Sequence, residues 1–218
     1  MFDRKKYKRF ALMQIKGRWT PAILATLLSL IILQPLTYII VFGIQNEQNV
    51  FLPVITYIFS KWVLDIGFAH FFITMSRSPS PIKVNDFVEG LSEWKKGCTV
   101  GFWKDLWITL WSMLFIIPGL VKHYAYSQSI FLAAEFPNLT AKKAVHISKI
   151  ITNNHKADLF VMDISFLGWQ ILSALVSNIG DLWLLPYIRM ARINAFHDML
   201  QQAIDENLIK LEDLTPNQ

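Results

Sequence analysis

Apolar residues in this chain come in long blocks rather than short alternations. The first runs from Thr20 to Phe42. It is long enough to cross a hydrocarbon core of roughly 30 Å as a helix, and predicts a first span over 20–42. A polar turn without Lys or Arg follows, Gln45-Asn46-Glu47-Gln48-Asn49. Further blocks predict spans over 51–75, 100–117, 120–136, 159–176 and 182–198. Between the second and third lies Ser76-Arg77-Ser78-Pro79-Ser80-Pro81, whose prolines exclude a helix. Next to it, residues 85–94 read as a short surface helix with Phe87, Leu91 and Trp94 on its apolar face. Pro118-Gly119 is a helix break and stops the third block. The first half of 120–136 carries Lys122, His123, Tyr124, Tyr126, Ser127 and Gln128. That block is either a fourth span with a polar inner face or a continuation of helix three kinked at Pro118.

Residues 140–155 switch to a clear helical period. Lys142, Lys143, His146, Lys149 and Asn153 share one arc, and Ala141, Ala144, Val145, Ile147, Ser148 and Ile151 lie opposite. Thr140 stands at the N-cap position. Such a helix suits an anionic membrane surface, with its lysines toward the headgroups. The alternative is a helix packed on the protein's own loops. A tail over 200–218 closes the chain. The pattern predicts an all-α, polytopic membrane helix bundle in one domain, 1–218, of about six transmembrane helices plus the interfacial helix.

Composition sharpens this picture. The chain is 53% hydrophobic and 17% charged, with 8 Trp and 16 Phe in 218 residues. Soluble domains hold about 25% charged residues, so an ordinary soluble enzyme is disfavoured; disordered and collagen-like chains are excluded. Cys98 is the single cysteine, which excludes an intrachain disulfide. The net charge is +5, and Arg4, Lys5, Lys6, Lys8, Arg9, Lys16 and Arg18 crowd the first 18 residues. A long apolar run follows that cluster at once, so it reads as a basic cytoplasmic flank and not as a nucleic-acid site. The 20–42 block exceeds the roughly 7–15 residues of a signal-peptide core, so it is expected to remain uncleaved. With six spans and both termini inside, the outer turns 43–50, 118–121 and 177–181 contain no Lys or Arg. Merging 100–136 into one span would put the basic 140–155 helix outside. The expected location is the bacterial cytoplasmic membrane.

One stretch also resembles a known family. It includes residues 110–119, ending in Ile117-Pro118-Gly119, then Tyr124-Ala125-Tyr126-Ser127, and Pro137-Asn138-Leu139-Thr140 with Ala144 and Ser148. It continues through Leu159-Phe160, Ile164-Ser165-Phe166-Leu167-Gly168-Trp169, Gly180, Leu182-Trp183 and Pro186-Tyr187. These residues resemble the domain-of-unknown-function 975 family of small bacterial integral membrane proteins. A weaker pattern of Pro-Gly, Glu135 and Ala-x-x-x-Ser is distantly similar to the membrane domain of some glycerophosphodiester phosphodiesterases. The resemblance implies a membrane fold and carries over no catalytic residue. At residues 153–157 the chain departs from the family's usual Gly before His-Lys and Trp after it.

No phosphate-loop, dinucleotide, zinc or nucleophile-elbow motif is present, and the histidines at 70, 123, 146, 155 and 197 form no metal-binding pair with a neighbouring Glu. No enzyme, cofactor or metal is expected. The informative residues are charges inside spans: Lys61 and Asp65, four apart on one face, with Asp163 and Arg189. Each costs roughly 2.5–3.5 kcal/mol at mid-bilayer, so pairing or access to water is expected. Asp65 is expected to pair with Lys61 or Arg189. These charges form either an ion-pair network that fixes the bundle or a polar path. Ser173 and Ser177 suggest close helix contact. The leading expectation is a non-enzymatic accessory or scaffold protein. It would bind anionic lipid headgroups, a partner membrane protein or an export system through 140–155 and the basic flank. The alternative is a small transporter or channel.

Overall fold

The structure, a computed structural model, describes residues 2–78, 82–176 and 178–214. All regular structure among them is α-helical. Asp3 caps α1 (Arg4–Ile15), its carboxylate accepting from the amides of Lys5 and Lys6 at 2.9 and 3.1 Å. Tyr7, Ala11 and Ile15 recur every four residues, so one stripe of α1 is buried. The Tyr7 hydroxyl donates to Asp198 at 2.5 Å, and the Asn194 amide donates to Gln14 at 2.9 Å. The basic flank is therefore a docked helix rather than a loose segment. Gly17, at φ +80, turns the chain into the next helix. Arg18 locks that corner by donating to the carbonyls of Gln14, Met75 and Ser78.

Among the described residues three helices are long and apolar enough to cross a membrane: α2 (Trp19–Gln45), α3 (Phe51–Arg77) and α9 (Lys156–Leu175). They match the predicted spans 20–42, 51–75 and 159–176. Two others are comparably long but more polar: α5 (Trp94–Leu114) and α10 (Asp181–Asp205), the latter carrying Arg189, Arg192 and Asp198. The short α4 (Val84–Ser92) packs on α3 with Phe87 fully buried. Trp94, expected on the same face, begins α5 instead.

The 100–136 region is not one helix, and the expected span over 120–136 is itself broken. After α5, α6 (Ile116–Tyr126) turns back, and α7 (Ser129–Glu135) follows Ser127-Gln128. The break falls at Phe115, before Pro118-Gly119, which stand in the first turn of α6. Gly119 packs directly on Ser112 of α5, where a Cβ would clash, so this glycine lets the hairpin close. At the second break Ala125 loses its helical partner. Its carbonyl instead accepts from the hydroxyls of Ser148 at 2.9 Å and Thr152 at 3.2 Å. Ser148 also accepts from the Gln128 amide at 3.2 Å. Both hydroxyls sit on α8 (Ala141–Ile151) or its C-cap, and all three residues are buried.

Burial is uneven. The main core gathers α1, the start of α2, the second half of α3, α9 and α10 around Phe68, Phe71, Phe72 and Phe166. A second cluster joins α7, α8, α10 and the four-residue α11 (Leu211–Leu214). The other end shows Ile31, Ile39, Phe51, Leu52, Leu175 and the 113–117 hairpin tip, where Ile116 is 84% exposed.

Candidate functional site

The predicted charges do not scatter. Lys61 and Asp65, one turn apart on α3, pair at 3.0 Å. They line a cavity of about 400 Å³ together with Lys104 of α5, His123 of α6 and Arg189 and Arg192 of α10. Phe68 of α3 adds to the wall. Helical spacing places the two arginines on one α10 face, three residues apart. The hairpin supplies the opposite wall, bringing Lys104 and His123 from antiparallel helices to one place.

Asp163 lies behind this wall. It accepts from Arg192 at 2.9 and 3.2 Å and from the Tyr124 hydroxyl at 3.2 Å, tying α9 to α10 and α6. Asp105 accepts from the Trp62 indole at 2.7 Å and lies 3.8 Å from Lys104. Arg189 is the exception. Its guanidinium carbon sits 3.3 Å from the centroid of the Phe68 ring, and its buried Nη1 has no hydrogen-bond partner. Of the two partners expected for Asp65, Lys61 makes the contact and Arg189 does not. Arginine keeps its proton in proteins, so the cavity carries a permanent positive charge without a matching carboxylate.

Lys104, Asp105, His123 and Arg192 were not among the predicted site residues. Read along the chain, Lys104 and Arg192 belong to flanking basic clusters. Only the hairpin and the α9–α10 packing turn them inward.

The 140–155 helix stands differently. Ala144, Ile147, Ser148 and Ile151 are buried against the protein's own helices, so its apolar face is already covered. Lys142 lies over the Trp103 ring at 4.8 Å, and Lys143 pairs with Asp213 at 3.2 Å. That second contact holds the Asp213 carboxyl below its ordinary range. His146 and Lys149 are exposed. Thr140 occupies the N-cap position without a side-chain hydrogen bond. Ser173 donates to Asp181 at 2.7 Å; Ser177, its expected companion, lies outside the described residues.

A second ionic cluster escaped prediction. Glu135, at the end of α7, is nearly buried and paired with Arg77 of α3 and, at 3.2 Å, with His197 of α10. Lys96 donates to the next carbonyl, that of Phe136, at 2.6 Å. The cluster joins four helices around a helix C-terminus, where cations are favoured.

No curated protein and no solved structure matches the chain, and the likeness to glycerophosphodiester phosphodiesterases finds no support. The family model described as "Protein of unknown function (DUF975)" matches residues 104–203. That segment holds the hairpin from Lys104 onward, the Ser148 bridge and most of the charged cavity wall. Over residues 104–203 the chain is similar to the DUF975 family.

Proposed function

We propose that this chain is a multi-pass, non-enzymatic protein of the bacterial cytoplasmic membrane, with both termini cytoplasmic, whose basic cavity binds a charged solute. The observation that carries the reading is the convergence of Lys61, Lys104, Arg189 and Arg192 from three helices on one cavity, with Arg189 left unpaired. Intramembrane charge is costly, and a bundle held by ion pairs alone has no use for an unmatched arginine. This favours the transporter or channel alternative over a purely structural network.

The accessory reading keeps one supporting observation. Lys142, His146 and Lys149 are exposed on α8 while its apolar face is filled by protein. That leaves a basic face for anionic headgroups or an acidic partner, but no apolar face to insert.

Reconstitution of the full chain into proteoliposomes separates the two. Solute binding or flux above that of protein-free vesicles, changed in Asp65→Asn, supports the cavity reading. Absence of both across a panel of cations, anions and zwitterions would overturn it.

A further inference from the structure

We infer that the cavity's ligand is an oxyanion of the carboxylate or phosphate class, received by Arg189. This rests on the cavity being a ligand site, as proposed above, and adds the chemistry of its occupant.

The charges around the cavity can be assigned one by one. Asp65 answers Lys61 at 3.0 Å. Asp163, from behind, answers Arg192 with two contacts. Asp105 is committed to Trp62 and stands at the edge of ion-pair range from Lys104. Among the described residues no carboxylate reaches Arg189 within ion-pair distance, and its Nη1 is buried without a partner. The Lys104 ammonium and His123 face the same space. The local balance is positive before His123 is counted, and an unpaired guanidinium in a low-dielectric interior is unfavourable. An anion entering the cavity removes that deficit; a cation would deepen it.

The shape of the group narrows the class. A guanidinium close to the Phe68 ring is sterically covered on that side, so its remaining N–H bonds are what a ligand can use. Arginine presents them as a rigid fork that matches two oxygens of a carboxylate or phosphate. A spherical halide lacks the paired oxygens that the fork matches. Two sources could supply the group: a free anion in the cavity, or the phosphate of an anionic lipid headgroup reaching it from the side.

The test uses the full chain in nanodiscs of either phosphatidylcholine or phosphatidylglycerol, followed by thermal unfolding. Inorganic phosphate, acetate and choline chloride are added at matched ionic strength. Phosphate or acetate should raise the midpoint in phosphatidylcholine, and choline should not. Arg189→Lys should weaken the midpoint-derived affinity by about tenfold or more, because charge is kept and the fork is lost. Arg189→Met should abolish the shift. Without added anion, Arg189→Met in phosphatidylcholine should melt above the wild type, since it removes an uncompensated charge. This variant is therefore expected to fold. If the wild type is stabilised only in phosphatidylglycerol, and Arg189→Met loses that gain, the headgroup is the source. Stabilisation by choline with no response to phosphate, acetate or phosphatidylglycerol would overturn the anion inference while leaving the cavity a ligand site. Wild-type shifts that persist unchanged in Arg189→Met would overturn it too.

Discussion

Glu135 shows what a single buried charge does here. Its carboxylate reaches Arg77 and His197, and with them the end of α3 and the second half of α10. Glu135→Gln leaves Arg77 without its counter-charge, but the arginine side chain is largely exposed to solvent, so the loss in stability should be about 1 kcal/mol. Unfolding in detergent checks this, and a change within error would show the cluster to be idle. Lys96, beside it and ahead of the apolar part of α5, is half-buried, and that burial pushes its amine down to about 8. In the unfolded chain a lysine keeps its proton to about pH 10.4. Between those values unfolding takes up a proton, so stability contributed through Lys96 rises with pH across that window. Relative to Lys96→Met, the wild type should therefore gain in melting temperature from pH 8 to pH 10. A flat difference would mean that Lys96 titrates as it does when unfolded. Only some of this was legible along the chain. The Lys61–Asp65 pair follows from spacing within one helix. Arg192, Lys104 and the Glu135 cluster join residues far apart in sequence, and no local period announces them.

At the scale of the element, the α6–α7 break and α8 explain each other. Hydrophobicity marks 120–136 as a span with a polar inner face or as a kinked continuation of helix three, because Ile130 to Ala134 is apolar; neither reading places a break at 127–128. Ser127, Gln128 and Ser129 instead spend their side chains on nearby groups: Ser127 on the Tyr124 carbonyl, Gln128 on Ser127, and Ser129 on the Tyr126 carbonyl. Such local bonds compete with helix continuation. The period read over 140–155 was legible in part: the helix spans Ala141–Ile151, and its apolar stripe is buried there. Hydrophobicity alone does not distinguish lipid from protein as the cover for that stripe; the answer lies in Ser148 and Thr152, whose hydroxyls need the Ala125 carbonyl. Ser148→Ala should cost about 1–3 kcal/mol, because the buried Gln128 amide loses its acceptor. Adding Thr152→Val should cost more than the single change, since the Ala125 carbonyl then has neither hydroxyl. Equal melting of Ser148→Ala and the wild type would show that water or a backbone shift replaces the bridge.

For the whole molecule, the uneven burial sets the orientation problem. One end is knitted by α1, α4, α8 and the second half of α10, with Arg18, Glu135 and Asp198 each tying two or more helices. At the other end apolar side chains stand open on α2, α3, α9 and the 113–117 tip. A contiguous apolar surface of that extent is unfavourable in water and natural in lipid. The α2 helix, 27 residues long, measures about 40 Å, more than the roughly 30 Å hydrocarbon core. It can thus cross and still reach the knitted end. The basic residues of α1 and of the 76–104 region lie at that end, and positive charge stays on the cytoplasmic side. Asn46, in the turn after α2, and Lys83, before α4, should accordingly lie on opposite faces of the membrane. In a Cys98→Ser background, an impermeant thiol reagent added to intact cells should label Asn46→Cys and reach Lys83→Cys only after lysis. Labelling of both from outside would remove the membrane from between them. The reverse pattern would invert the orientation and place the docked basic helix α1 outside.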